Sequence, residues 1–122
     1  MTLPELYAAM DGDYEQALKV LRIEKLIDKH IRKFPDNELF VGLVEAGKNV
    51  DAEALFEKTH AIKGVCANLG LTKIAALAAE VCEDFRPGRV RQLSDEEVRL
   101  KIDEMIALRE RVVACIGEYA AQ

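Results

Sequence analysis

The segment 51–85 reads DAEALFEKTHAIKGVCANLGLTKIAALAAEVCEDF and contains two helical patterns separated by a very short connection. Asp51 is a preferred N-cap residue, and Gly70 is the residue type that most often follows a helix C-terminus, so the first helix is predicted over 51–69. The second helix is predicted over 71–85, because a Pro-Gly pair follows it. Two helices joined by so short a connection pack side by side in opposite directions. The segment therefore predicts an antiparallel helical hairpin.

Residues 1–50, before the hairpin, are predicted to form short N-terminal helices. The helical patterns cover 3–10, 13–33 with a break near Arg22, and 36–46, and a Gly47-Lys48-Asn49 turn closes the last of these. In the 13–33 stretch one buried stripe is predicted, formed by Leu18, Leu21, Leu26 and Ile27.

The chain after the hairpin is predicted to form one long helix. A loop at 86–93 precedes the run Ser94-Asp95-Glu96-Glu97, a capping box that predicts a last helix over 94–120. The fold predicted for the whole chain is all-α: an antiparallel up-and-down four-helix bundle with additional short N-terminal helices, in a single domain over 1–122.

Composition narrows the classes of function. A net charge of −5, with Lys and Arg mixed among Asp and Glu, argues against binding to nucleic acid. The longest apolar run has only six residues, and the N-terminus lacks the features of a signal peptide, so no membrane association and a cytoplasmic location are expected. The cysteines Cys66, Cys82 and Cys115 are predicted to be small buried hydrophobic residues, and no metal site is expected. No phosphate-binding loop of the P-loop type occurs, so no ATPase or autokinase activity is expected.

His60 is the candidate for chemistry. On a helical wheel Leu55, Ile62, Cys66 and Leu69 form a seam about 60° wide, and His60 lies about 140° from its centre. Gly64, one turn after His60, costs a helix about 1 kcal/mol relative to Ala, and it lies on the face opposite the seam, so helix packing explains it poorly. A missing side chain here leaves room for a bulky group to reach the outer ring nitrogen. Lys63 at i+3 places a cation close enough to disfavour the imidazolium and keep a nitrogen lone pair free.

The surroundings of His60 indicate a docking surface. Phe56 lies one turn before His60 and Ala67 about one turn after Gly64, and a smooth apolar area around one polar residue suits contact with another protein. Phe56 could equally pack against a neighbouring helix. His30 lies among charged residues without a glycine at i+4 and is predicted to be an ordinary surface or rim histidine.

Together, His60-x-x-Lys63-Gly64 and the following Asn68-Leu69-Gly70 closely resemble the signature of the histidine-containing phosphotransfer (HPt) domain family. The likeness continues through Leu71, Ile74, Leu77 and Cys82-Glu83 and, more weakly, over 13–119. It implies that His60 is a phosphoacceptor, that Lys63 stabilises the phosphoryl group and that Gly64 gives it steric clearance. Some relatives hold the imidazole with a glutamine from the next helix, where simple counting places Cys82 in this chain. Arg86, one turn further, is a candidate second cation at the partner-binding surface.

The resemblance also implies the partners. His60 would take a phosphoryl group from a phospho-aspartate of one response-regulator receiver domain and pass it to another, with a hybrid sensor histidine kinase as a further partner. The chain would act as a monomeric carrier without a cofactor, because the Mg²⁺ would be supplied in the partner receiver domain. Two alternatives stay open: an unphosphorylated helical adaptor that docks to receiver domains, and the substrate domain of a chemotaxis-type histidine kinase.

Overall fold

The computed structural model describes the whole chain, Met1–Gln122, and all of its regular structure is helical. Seven α-helices follow one another along the chain: α1 (Leu3–Met10), α2 (Tyr14–Leu21), α3 (Glu24–Lys33), α4 (Leu43–Asn49), α5 (Ala52–Asn68), α6 (Thr72–Asp84) and α7 (Asp95–Ala120). Two 3₁₀ turns, Phe34–Asp36 and Glu38–Phe40, connect α3 to α4. No helix is both long enough and apolar enough to cross a membrane.

Four of the seven α-helices begin at a side-chain cap: α1, α2, α5 and α7. Asp51 accepts a hydrogen bond from the backbone N–H of Ala54 at 3.2 Å and starts α5. Ser94 and Glu97 form a complete capping box at the start of α7, and Thr2 and Glu5 form another at the start of α1. Each cap satisfies backbone N–H groups that have no partner inside the helix. The predicted starts of these helices therefore follow from interactions within one turn.

The bundle is built around the α5–α6 hairpin. α7 packs against α6, α4 and α1, while α2 contacts α5 and α3 contacts α7. The predicted seam of α5 is buried and faces this interior; it consists of Leu55, Ile62, Cys66 and Leu69. The all-α fold is confirmed: a helical bundle with additional short N-terminal helices.

The region before α5 differs from its prediction. The helix expected over 36–46 is wrong, because 3₁₀ turns occupy its first part and α4 begins only after Gly42, which has a left-handed φ of 81°. The predicted turn at Gly47 is also wrong, since Gly47 is buried inside α4. A β-carbon on Gly47 would lie 2.6 Å from Cδ1 of Ile102, so this glycine permits close contact between α4 and α7.

The buried stripe predicted for the 13–33 stretch is only partly correct. Ile27 is buried, whereas Leu18 and Leu21 are half-buried and Leu26 is 37% exposed. The break comes at Arg22, whose φ of 76° changes the direction of the chain between α2 and α3. Because the two helices do not share one axis, a stripe drawn across both does not stay on one face.

The turn between α5 and α6 is held by the N-terminal helices. Gly70 has a φ of 73°, and a β-carbon there would lie 2.2 Å from the carbonyl oxygen of Asp13. The backbone N–H of Asp13 donates a hydrogen bond to the carbonyl oxygen of Gly70 at 2.7 Å. The hydroxyl of Tyr7 donates a hydrogen bond to the carbonyl oxygen of Leu69, also at 2.7 Å. These contacts fix the C-terminal end of α5.

Candidate functional site

His60 lies in the middle of α5 with its residue surface exposed to solvent, on the side of the helix away from the buried seam. Its imidazole stacks on the ring of Phe56, with ring centroids 5.8 Å apart and an angle of 24° between the planes. Phe56 is half-buried and packs against the hydrophobic core, so it both meets the core and supports the imidazole. One face of the imidazole is therefore supported by Phe56, while the residue as a whole stays exposed to solvent.

Cys82 of α6 holds the inner edge of the imidazole. Its Sγ lies 3.9 Å from Nδ1 of His60 and 4.0 Å from the carbonyl oxygen of Phe56, and the residue is 1% exposed. The carbonyl can only accept a hydrogen bond, so the thiol donates to it, which leaves a sulfur lone pair for an Nδ1–H donor. This arrangement favours the tautomer with the proton on Nδ1, in which Nε2 carries the free lone pair.

Gly64 leaves open space beside His60. A β-carbon built on Gly64 would meet no atom within 4 Å apart from its own helix turn and chain neighbours. Contact with another helix therefore does not account for a glycine at this position. The opening lies one turn from the imidazole on the same exposed face of α5.

Lys63 and Ala67 lie on α5 beside the imidazole. The ammonium of Lys63 forms no ion pair and no hydrogen bond, so it is free to pair with an arriving anion. Ala67 is partly buried and packs against the core, so only part of its surface is available to a partner. The expected effects of Lys63 on the imidazole stay predictions.

Arg86 forms an ion pair with a neighbouring carboxylate. It follows the end of α6, and its guanidinium lies 2.8 Å from a carboxylate oxygen of Glu83, which also pairs with Arg89 at 2.6 Å. One carboxylate thus faces two guanidinium groups, and the expected contribution of Arg86 as a second cation at the partner-binding surface stays a prediction. No group of three or more His, Cys, Asp or Glu side chains lies close enough together to hold a metal ion.

Sequence reasoning left the contact of Cys82 undecided. The only signal in the sequence is the number of residues that separate His60 and Cys82 from the turn at Gly70. Counting back along α5 and forward along α6 places Cys82 near the level of His60. Whether the thiol reaches the ring depends on the separation of α5 and α6, which the sequence pattern does not determine. On the helical wheel of α6 the buried residues Ala75 and Ala78 share the face of Cys82.

The comparison with protein-family models found one family. The model described as the Hpt domain matches residues 15–114, from the second residue of α2 through α6 and most of α7. No individual curated protein and no solved structure matches the chain significantly. Hpt domains are helical bundles that carry phosphoryl groups on histidine in phosphorelays and interact with receiver domains of two-component systems. The matched residues cover most of the 122 in the chain, and this chain therefore belongs to the Hpt domain family.

Proposed function

We propose that this protein is a phosphorelay intermediate in which His60 accepts a phosphoryl group from the phospho-aspartate of one receiver domain and passes it to another. The proposal depends on the exposed imidazole of His60. Phe56 stacks on this ring and Cys82 lies next to its Nδ1, while the space beside Gly64 is open. Such a ring can be approached by a second protein without any movement of the bundle.

The transfer step follows from the favoured tautomer. The lone pair of Nε2 attacks the phosphorus of the acyl phosphate, the P–O bond to the aspartate breaks, and the receiver carboxylate leaves with the electron pair. His60 keeps its proton on Nδ1, next to Cys82, throughout the step. The reverse step transfers the group to the second receiver. The protein supplies a positioned nucleophile and its immediate surroundings, and this part of phosphoryl transfer does not require a metal ligand.

The neighbours of His60 have separate roles in this proposal. Lys63 pairs with the phosphoryl oxygens once the P–N bond has formed, because its ammonium has no carboxylate partner in the free protein. Gly64 leaves room for the phosphoryl group and for the receiver loops around it. The receiver domain supplies the Mg²⁺ that neutralises charge in the transition state, and the protein itself has no ATPase or autokinase activity.

The test is direct transfer between purified proteins. The chain is mixed with receiver domains that are phosphorylated on aspartate in the presence of Mg²⁺, and we expect an acid-labile, base-stable phosphoryl group on the chain. The label should be absent from His60→Gln and present on the matched control His30→Gln.

Two results would support the alternatives instead. Failure of every receiver domain to label the wild-type chain would indicate an unphosphorylated adaptor. Labelling only by the ATP-binding domain of a histidine kinase would indicate the substrate domain of such a kinase. If the His60→Gln variant is labelled as well as the His30→Gln control, another residue is the phosphoacceptor.

A further inference from the structure

Phe56 lies between the imidazole of His60 and the hydrophobic core. The two ring centroids are 5.8 Å apart and the planes differ by 24°, a geometry within the range of offset-stacked aromatic pairs. The rest of Phe56 is half-buried and packs against the core. Because core side chains are closely packed, they restrict the movement of Phe56. The imidazole therefore rests on a ring that is itself held in place.

The stack restricts the rotation of His60 about its Cα–Cβ bond. A long side chain in an α-helix has two common χ1 rotamers, and both lean back toward the preceding turn. On the helical wheel Phe56 lies about 40° to one side of His60, and Glu57 lies about 60° to the other side. Only a ring that leans toward Phe56 can form the observed stack. Phe56 therefore selects one χ1 rotamer of His60.

The stack does not distinguish the two edges of the imidazole. A rotation of 180° about the Cβ–Cγ bond exchanges Nδ1 with Cδ2 and keeps the ring face on Phe56. The Sγ of Cys82 lies 3.9 Å from Nδ1, and this contact exists in only one of the two orientations. Phe56 and Cys82 thus restrict two different torsions of His60, χ1 and χ2.

The backbone of Phe56 contributes separately from its ring. The carbonyl oxygen of Phe56 lies 4.0 Å from the Sγ of Cys82 and 3.4 Å from the hydroxyl oxygen of the fully buried Thr59. A substitution that removes only the aromatic ring leaves this carbonyl, and with it the anchor of the thiol, in place. The roles of Phe56 and Cys82 can therefore be separated by mutation.

We propose that Phe56 is a positioning residue for phosphoryl transfer, which holds χ1 of His60 in the rotamer that keeps Nδ1 against Cys82 and Nε2 on the other side of the ring. The inference rests on the proposed function. Phe56 was predicted from the sequence to belong to the partner-binding surface, and its main contribution here is instead the orientation of His60.

The kinetic test uses Phe56→Leu, which keeps an apolar side chain against the core and removes the flat ring. The rate of transfer is measured against the concentration of a phosphorylated receiver domain that labels the wild-type chain. We expect the saturating rate to fall about fourfold, because His60 then populates a second rotamer and its ring moves more freely in each. The half-saturating concentration should change by less than about twofold. Phe56→Tyr, which retains the ring, should keep at least about half of the saturating rate.

The spectroscopic test measures the rotamer itself. Three-bond NMR couplings about χ1 of His60 should have the values of a single rotamer in the wild-type chain and averaged values in Phe56→Leu. His30 is the second of the two histidines and serves as the internal reference, because its couplings should not change. Glu57→Gln, a substitution in the same helical turn on the other side of His60, should leave the couplings of His60 unchanged.

Cys82→Ala is the complementary variant. It should leave the χ1 couplings of His60 as in the wild-type chain and change the imidazole ¹⁵N shifts that report the tautomer. Phe56→Leu should do the reverse, since the thiol and the carbonyl that anchors it both remain. A loss of packing common to both variants would instead change both sets of values in each.

The couplings are measured on the unphosphorylated protein, so they test the rotamer independently of transfer. The predicted couplings in a wild-type chain that no receiver domain labels would reject the proposed function and support the role of Phe56 in holding the ring. Averaged couplings in the wild-type chain, or unchanged couplings in Phe56→Leu, would overturn the inference. A higher half-saturating concentration with an unchanged saturating rate would also overturn it, because Phe56 would then act by contact with the receiver domain.

Discussion

The thiol of Cys82 stands against the inner ring nitrogen of His60, and its contribution can be measured on that ring. Cys82→Ala removes the acceptor for Nδ1–H, so the two neutral tautomers should become more equally populated and transfer should slow about threefold, the effect of one weak hydrogen bond. Imidazole ¹⁵N chemical shifts report the tautomer. Cys82→Ser, which replaces the thiol with a hydroxyl that can also accept a hydrogen bond, should recover part of the rate. Unchanged shifts in Cys82→Ala would contradict a positioning role.

Gly64 can be tested for steric clearance with a control from the same chain. Gly64 and Gly117 are both exposed helical glycines whose β-carbon would meet nothing within 4 Å. Replacing either with Gln should stabilise the fold by about 0.5 kcal/mol in urea denaturation, because Gln has the higher helix propensity. Only Gly64→Gln should block transfer to His60. Normal transfer by Gly64→Gln would show that the space beside the ring is not needed.

At the level of elements, the loop between α6 and α7 is held by one buried carboxylate. Asp84 accepts hydrogen bonds from the backbone N–H groups of Gln92 at 2.6 Å and Leu93 at 3.3 Å, and pairs with Arg91. Burial raises the pKa of Asp84, but these bonds together outweigh it and hold the pKa below its ordinary value. The carboxylate therefore stabilises the fold above about pH 4, the unfolded pKa, and this contribution is lost as the pH falls through the lower folded pKa.

Asp84→Asn should accordingly lower the free energy of unfolding by about 1–2 kcal/mol at pH 7, since Asn lacks the charge that strengthens these bonds. Below about pH 4 the difference from wild type should narrow, because the protonated wild-type carboxyl resembles the amide. Urea denaturation between pH 3 and pH 7 measures both effects. Asp103→Asn, at an exposed site in α7, serves as the control. A difference that stayed constant over this range would argue against ionised Asp84 as the anchor.

The α5–α6 turn depends on the absence of a side chain at Gly70. Gly70→Ala should destabilise the fold by about 3 kcal/mol, because the new β-carbon would overlap the carbonyl oxygen of Asp13 in addition to the left-handed backbone cost. Gly88 has a similar φ of 84° but open space around it, so Gly88→Ala should cost only about 1 kcal/mol. Equal losses in urea denaturation would show that the contact with Asp13 is not tight.

For the molecule as a whole, the features that could be predicted from the sequence are those that depend on interactions within one or two helical turns. Asp51, Gly70 and Ser94 act on their own helix ends, so the hairpin and the last helix could be placed from the residues alone. The environments of Gly47 and Leu26 were predicted wrongly because they depend on other elements of the fold. Gly47 contacts α7, and the exposure of Leu26 follows from the change of chain direction at Arg22. The exposure of His60 followed from the position of the core seam, whereas the ion pair that occupies Arg86 depends on side-chain conformation.

The arrangement of the bundle predicts a carrier that does not change shape when it is phosphorylated. The ring of His60 touches Phe56 of α5 and Cys82 of α6, while α7 packs mainly against α6, α4 and α1. An added phosphoryl group would therefore meet solvent and Lys63, and it would not displace any core side chain. Amide chemical shifts recorded before and after phosphorylation should change only along the middle of α5 and near Cys82. Widespread changes in α7 would mean that phosphorylation alters the packing of the bundle, and the protein would then be a switch as well as a carrier.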